Sequence, residues 1–263
     1  MQSKIINILN RNFKNPISCL ATYSSAIAKI LDGNIDMILV GDSLGSNLYG
    51  MKNTQGVTLD MMKRHGKAVI KNIKKSITVV DMPFKTYENK NHALKNAKDV
   101  INYTKADLIK LEVNKNKIPI IEYLSEKRIN LIAHIGVTPQ SYKDFSKIRS
   151  VGKSTLERKK LIELAIQLEK SGAKAILLEC VSRKTAKLIS SSIKIPTIGI
   201  GASEYCDGQV LVFDDLINLN ISHTKPRFVK NYLDFTKISK DAVENYNRDV
   251  KNRKFPSKKY SYS

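Results

Sequence analysis

Four acidic residues stand at the ends of apolar stretches of the chain. They are Asp42, Asp81, Glu112 and Glu179, and the last of them follows the run AILL at 175–178. Each acid taken alone has an ordinary interpretation as a capped turn or a salt-bridge partner. Four acids in the same setting favour one shared pocket, where like charges raise each other's pKa and oppose ionisation. A hard divalent cation resolves that conflict, so the pattern predicts a metal site.

The four carboxylates have different predicted roles. Mg²⁺ binds oxygen ligands and commonly takes one or two carboxylates, which leaves positions for water and substrate. We expect Asp42 and Asp81 to be direct metal ligands and Glu112 to reach the metal, more readily through a water molecule. Glu179 lies further along the chain behind an apolar approach. Such an approach favours a raised pKa and a role as general base.

Two basic side chains accompany the acids. Lys110 precedes Glu112 by two residues, so the two side chains share one face of a strand. An inward lysine is either an ion-pair partner of the acids or a group that holds a substrate carboxylate, and the sequence leaves both open. His134 ends another apolar run. A lone histidine is more often structural, but at a strand end it can donate a hydrogen bond to a ligand.

Strands that alternate with helices must position these residues. The pattern predicts strands over 16–23, 37–42, 77–82, 108–113, 129–135, 175–180, 196–200 and 210–213. It predicts helices within 1–15, over 24–31, from 58, and over 91–104, 117–126, 154–171 and 182–192. About eight such units favour a single (β/α)₈ barrel with its active site where the strands end. A doubly wound open sheet is the alternative, although no Gly-x-Gly-x-x-Gly sequence opens the first unit.

Composition narrows the class of protein further. The 263 residues fit one barrel domain over 1–263, with a polar, basic C-terminal tail from about 251. No apolar run reaches the roughly 18 residues of a membrane span, and the N-terminus lacks a signal-peptide pattern, so we expect a cytoplasmic protein. The three cysteines, far apart in the chain, suggest neither a disulfide framework nor a zinc site.

The net charge of +21 raises the question of nucleic-acid binding. The basic residues are mostly lysines spread along the whole chain, and there is no tryptophan. Readers of nucleic acid tend instead to use arginine and stacked aromatic rings, with their charge clustered. A solvated lysine surface explains the charge better, so we expect neither a nucleic-acid nor a membrane partner.

Seven motifs, in order and at characteristic spacing, resemble the ketopantoate hydroxymethyltransferases, enzymes of pantothenate biosynthesis. The motifs are VGDSLG at 40–45, DMPF at 81–84, IKLE at 109–112, HIGVTPQ at 134–140, LECV at 178–181, IGIGA at 198–202 and DGQ at 207–209. The resemblance covers the chain from about Tyr23 to Tyr232.

The resemblance implies a Mg²⁺-dependent (β/α)₈ transferase. Such an enzyme moves a hydroxymethyl group from 5,10-methylenetetrahydrofolate to 3-methyl-2-oxobutanoate and forms 2-dehydropantoate. It also implies a homo-oligomer, commonly a decamer in bacterial members. Carried over by position, the metal residues are Asp42, Asp81 and Glu112, and Glu179 is the base. The residues implied to hold the ketoacid are Asp42, Ser43, Asp81, Lys110 and His134.

Several positions depart from the family pattern and keep other functions open. Strand one ends in Ser24 rather than an acid, Val113 and Asn114 replace two glycines, and Asp214 and Asp215 replace a His-Asp pair. A Lys-containing segment at 143–149 replaces a glycine-rich one. These changes are the basis for a second hypothesis, a catalytically weak barrel kept as a binding or structural subunit. A third is a Mg²⁺ barrel of the isocitrate-lyase type that acts on another ketoacid without folate.

Overall fold

Eight parallel strands close into a barrel. The structure is a computed structural model that describes residues 15–219 and 226–262, together with Ile5 and Leu9. Each strand pairs with the next one in the chain, and β8 pairs with β1. The prediction of a (β/α)₈ barrel is therefore confirmed, and the open sheet is excluded. The strands are β1 Ile17–Ala21, β2 Met37–Val40, β3 Ile77–Asp81, β4 Leu108–Glu112, β5 Leu131–Gly136, β6 Ala175–Glu179, β7 Thr197–Ile200 and β8 Gly208–Val212.

Helices connect most of the strands and pack around them. Their starts follow ordinary capping chemistry, because the Thr58 and Asn89 side chains accept hydrogen bonds from backbone N–H groups three residues later. Ser154 and Glu157 form a reciprocal capping box. The helices are α1 Ser25–Leu31, α2 Leu44–Asn47, α3 Leu59–Ile70, α4 Lys90–Thr104, α5 Ile118–Glu126, α6 Thr155–Lys170, α7 Arg183–Ser192, α8 Phe213–Leu216 and α9 Phe235–Lys251. The helix expected within 1–15 lies outside the described residues, apart from Ile5, Leu9 and Asn15.

Alternation along the strands divides the core into two layers and places the polar residues. In β4, Ile109 and Leu111 belong to the apolar cluster between the strands and the helices. Leu108 belongs to the second cluster, inside the barrel. Because side chains alternate along a strand, Lys110 and Glu112 share the interior face with Leu108. The barrel interior is therefore apolar where the strands begin and charged where they end.

The C-terminal segment differs from the rest of the chain. None of the α9 side chains that the structure describes is buried, and the described residues after it are exposed as well. The sequence predicts the polar tail from about 251 but not the helix before it. No helix within 15–219 and 226–262 combines the length and the apolarity needed to cross a bilayer.

Candidate active site

The predicted site residues meet at the carboxyl ends of the strands. Strand register sets Asp81 opposite Lys110 and Glu112 opposite His134. Gly136, two residues after His134, lies opposite Glu179 in the same way. Each acid and base comes from a different strand, except for the pair on β4. One charged layer therefore closes the barrel interior, where (β/α)₈ enzymes carry their active sites.

Asp42 and Asp81 are joined directly. The backbone N–H of Asp42 donates to Asp81 Oδ2 at 3.0 Å. Asp81 Oδ1 lies 2.7 Å from the Lys110 ammonium, in a buried ion pair. Burial and then the Asp81 charge raise the pKa of Asp42 to about 7. Two buried carboxylates in contact, one of which resists ionisation, suit a cation beside them.

Lys110 lies between the acids and the histidine. Its Nζ is 3.3 Å from Nδ1 of His134. Burial opposes its charge, but Asp81, Asp42 and Glu112 together raise the pKa of Lys110 above its usual value. The ion pair with Asp81 confirms one of the two interpretations of this lysine. Contact with a substrate carboxylate stays a prediction.

His134 is held as a neutral imidazole. Burial, helped by the charge of Lys110, lowers the pKa of His134 well below its usual value. Because an ammonium can only donate, Nδ1 accepts from Lys110 and the ring proton is assigned to Nε2. Nε2 lies 3.3 Å from Glu179 Oε2, and a hydrogen bond with the Val137 backbone acts against the lowering of the pKa. The ring therefore lies beside Glu179, where a ligand that enters the layer would meet it.

Glu179 is the acid most suited to accept a proton. Burial raises its pKa to about 7, although the charge of Lys110 acts in the opposite direction. Its side chain keeps 19% exposure, whereas those of Asp81 and Glu112 keep 3% and 4%. Gly136 lies so close to the Glu179 carbonyl, at a φ of +101°, that any Cβ there would clash. That glycine lets β5 and β6 approach closely enough to bring Glu179 beside His134.

Glu112, at the end of β4, is hydrogen-bonded to Gln140, which follows β5. Burial and then the charge of Asp42 raise the pKa of Glu112 well above its usual value. The backbone N–H of Gln140 donates to both Glu112 oxygens, at 3.1 Å and 3.3 Å. In the sequence, Gln140 is marked only as the last residue of the HIGVTPQ motif. Its contacts depend on the turn Pro139–Ser141, which the sequence pattern does not reveal.

Ser43 is in contact with the loop after β1. Its Oγ lies 2.7 Å from the hydroxyl of Tyr23, which lies two residues beyond the end of the first strand and is buried. The predicted ketoacid contact Ser43 is thus positioned by a tyrosine that no catalytic motif singles out.

Asp214, on α8, has its pKa raised to about 6 by burial and by Asp215.

A divalent cation fits the oxygen donors of this layer. No group of three or more His, Cys, Asp and Glu side chains in the described residues is arranged to hold a metal ion. A pair of carboxylates, Asp42 and Asp81, with water and substrate completing the shell, matches how Mg²⁺ is commonly bound. That Glu112 reaches the metal through water stays a prediction.

Two cavities differ in their relation to the charged layer. One of about 60 Å³ adjoins Glu112 and Gln140. A larger one of about 550 Å³ lies where β3 and β4 begin, beside Thr78 and Asp107. The larger cavity is at the opposite end of the barrel from the carboxylates, so its size does not make it the active site.

Comparison with known families agrees with the motifs. A family model described as ketopantoate hydroxymethyltransferase matches residues 3–258. A Pelagibacter ubique protein named 3-methyl-2-oxobutanoate hydroxymethyltransferase is 48% identical over 262 residues, with 100% of both chains covered. A Rhizobium etli protein of the same name is 45% identical over 248 residues, which cover 94% of this chain and 90% of that one.

Solved structures share the fold at low identity. A 2,3-dimethylmalate lyase of the PEP mutase/isocitrate lyase superfamily has a TM-score of 0.61 at 12% identity and covers 98% of this chain and 91% of its own. A phosphonopyruvate hydrolase in complex with oxalate and Mg²⁺ has a TM-score of 0.60 at 12% identity, with 98% and 92% covered. These likenesses concern the barrel alone.

Proposed function

This chain belongs to the ketopantoate hydroxymethyltransferase family, and from that premise we propose that it transfers a hydroxymethyl group from 5,10-methylenetetrahydrofolate to 3-methyl-2-oxobutanoate. The product is 2-dehydropantoate, an intermediate of pantothenate biosynthesis. One observation carries the proposal. Glu179, with a pKa of about 7, lies 3.3 Å from a neutral histidine in a layer that also holds three acids and a lysine.

Asp42 and Asp81 would hold Mg²⁺, with Glu112 reaching it through water. When bound, the ion supplies Lewis-acid polarisation of the keto group of the substrate. Asp81 would keep the ion pair between its Oδ1 and Lys110 while it helps to hold the ion. The ion would add its charge to that of Lys110 in compensating the four carboxylates of the layer.

Glu179 is the proposed base. It takes the proton from C3 of the ketoacid, and the C3–H electron pair moves into a C2–C3 double bond to give the enolate. C3 then bonds to the methylene carbon of the folate. Water supplies the new hydroxyl as both C–N bonds to that carbon break, and the two nitrogens take up protons. General-base catalysis contributes roughly 10²–10⁴-fold to such a reaction.

Ser43, Lys110 and His134 would bind the ketoacid. Lys110 offers a buried positive charge to the substrate carboxylate, and the Nε2–H of His134, 3.3 Å from Glu179, offers a hydrogen bond. Tyr23 would hold Ser43 in place through their hydroxyl contact. These three donors favour a ligand with adjacent keto and carboxylate oxygens.

The family also suggests where and how the enzyme works. A homo-oligomer, with a decamer as the form implied by the motifs, and a cytoplasmic location are part of this proposal. Cys19, Cys180 and Cys206 are free thiols, which suits a reducing compartment.

Labelled folate tests the proposal. We would incubate the protein with 3-methyl-2-oxobutanoate and folate carrying ¹³C in the methylene group, with Mg²⁺ or with chelator. We expect the label in the hydroxymethyl carbon of 2-dehydropantoate, with Mg²⁺ only. Folded protein that forms no labelled product contradicts the proposal. Cleavage of a hydroxyacid without folate would favour the lyase alternative.

A further inference from the structure

Gln140 touches two of the proposed metal-site acids at once. Its side-chain Nε2 donates to Asp42 Oδ2 at 2.7 Å, and its backbone N–H donates to Glu112. Asp42 follows β2 and Glu112 ends β4, so Gln140 joins acids from two strands that are not neighbours. Gln140 itself is only 4% exposed. A buried amide in this position fixes the directions of two carboxylates that would otherwise repel each other.

The side-chain amide of Gln140 has one favourable orientation. Tyr87 donates from its hydroxyl to Oε1 at 2.5 Å. Nε2 donates to the Met82 carbonyl at 3.0 Å as well as to Asp42. A flipped amide would set its oxygen against two acceptors, so the network excludes that orientation. Tyr87 is 2% exposed and therefore a fixed partner.

We propose that Gln140 is a positioning residue that holds Asp42 and Glu112 ready for the cation, and that Tyr87 sets the orientation of its amide. This inference rests on the proposed function, because it names a device in the same metal site. Residues that orient metal ligands through hydrogen bonds typically change metal affinity or activity by 10–100-fold when they are removed.

The contact is also tied to the loop over the barrel mouth. Gln55, in the turn Thr54–Gly56, donates from its side chain to the backbone carbonyl of Gln140 at 2.9 Å. Asn53 donates to the carbonyl of Lys143 at 3.0 Å. Both bonds join the same two loops, but only the first involves Gln140. Asn53 also accepts from the backbone N–H of Gln55 at 3.0 Å, so Asn53→Ala is a control that loosens this whole loop contact without touching the acids.

Metal affinity tests the inference without using enzyme turnover. We would measure binding of Mn²⁺ alone by electron paramagnetic resonance in the wild type, Gln140→Met, Tyr87→Phe and Asn53→Ala. We expect Gln140→Met, which keeps the volume and loses the amide, to bind Mn²⁺ 10–100-fold more weakly. Tyr87→Phe should weaken binding by a smaller factor, and Asn53→Ala should match the wild type. At saturating metal, much of the kcat of Gln140→Met should return, because the change acts on the Kd of the metal.

The outcomes separate this inference from the proposed function. Wild type that binds Mn²⁺ together with a folded Gln140→Met of equal affinity overturns the role of Gln140 alone. A kcat that falls without any change in Mn²⁺ affinity also overturns it. If Gln140→Met does not fold, Tyr87→Phe decides, because unchanged affinity there contradicts the role of Tyr87. Wild type that binds no Mn²⁺ overturns the metal site and this inference together.

Discussion

Carboxylates lie at both ends of the barrel, and the two sets satisfy their oxygens in different ways. Where strands begin, an aspartate next to one strand accepts from both the backbone N–H and the hydroxyl of one residue on the preceding strand. The aspartate N–H donates back to that hydroxyl. This reciprocal clamp occurs three times, as Asp36 with Ser18, Asp107 with Thr78 and Asp207 with Thr197.

Where the strands end, at the mouth of the barrel, the acids share their donors. These mouth acids are Asp42, Asp81, Glu112 and Glu179. Lys110 is the buried cation nearest to Asp81, and its charge also acts on Asp42, Glu112 and Glu179. The charge of Asp42 opposes the ionisation of Glu112, so these acids are not satisfied separately. The comparison teaches that residue type does not decide the role of a buried acid. A buried acid that has hydrogen-bond donors of its own is structural. A buried acid that shares its donors with other acids stays available for chemistry.

We expect the largest change in stability from a substitution of Asp81, the acid that forms an ion pair with Lys110. Asp81→Asn leaves Lys110 buried without its closest counter-charge, so we expect a loss of about 3–5 kcal/mol in the free energy of unfolding. The double variant with Lys110→Met should recover much of that loss. Urea unfolding in chelator measures both. An Asp81→Asn protein as stable as the wild type would show that Asp42 alone neutralises Lys110.

Asp42→Asn should have the opposite effect and raise the free energy of unfolding. With a folded-state pKa of about 7, ionised Asp42 disfavours the folded state at pH 8. One pKa unit corresponds to about 1.4 kcal/mol, and the weaker Gln140 contact offsets part of the gain, so we expect about 2 kcal/mol of added stability without metal. Saturating Mg²⁺ should stabilise the wild type and not the variant. Equal stability of the two proteins in chelator at pH 8 would contradict the prediction.

The mouth acids should also make stability depend on pH. The pKa values of Asp42 and Glu179 are raised in the folded state, so it holds more protons than the unfolded chain, and stability falls as pH rises toward about 7. The lowered pKa of His134 works against this, because neutral histidine adds stability as pH rises. We expect a net loss of about 2–3 kcal/mol from pH 5.5 to 8 in chelator. A flat profile in wild type, or an unchanged slope in Asp42→Asn, would contradict the assignment.

The clamps at the other end should give the smallest effects. Thr78→Val keeps the shape and removes the hydroxyl that bonds buried Asp107, so we expect about 1 kcal/mol of destabilisation with unchanged kcat. Ser18→Ala makes the same change beside exposed Asp36, where water replaces the lost bond, and should cost less. Thermal unfolding and turnover of both variants measure this. A fall in kcat for Thr78→Val would contradict the division between the two ends.

The sequence predicts the acids at the strand ends better than it predicts the aspartate clamps where the strands begin. Apolar runs that end in an acid are visible in one dimension, and strand alternation then turns Asp81, Glu112 and Glu179 to one interior. The clamps join residues 10 to 29 positions apart across two strands, and no local pattern marks Asp107 as the partner of Thr78. Gln140 was out of reach for the same reason, since its amide contacts Asp42 at a separation of 98 residues.

The helix α9 was missed for a different physical reason. None of its described side chains is buried, so packing against the barrel could not be inferred from apolar spacing near Val243 and Tyr246. Strand bounds, in contrast, were predicted to within a residue or two in most cases, because Gly, Pro and charged residues end the apolar runs.

Exchange of the C3 proton of 3-methyl-2-oxobutanoate in D₂O, followed by NMR, tests the central claim most directly. Glu179→Gln changes a mouth acid, and Glu169→Gln makes the same change in an acid that accepts from the backbone where β7 begins. We expect exchange by wild type and Glu169→Gln with Mg²⁺, a 10²–10⁴-fold loss in Glu179→Gln, and only background with chelator. Equal exchange by Glu179→Gln and wild type would contradict the claim that the acids of the mouth, and Glu179 among them, perform the chemistry.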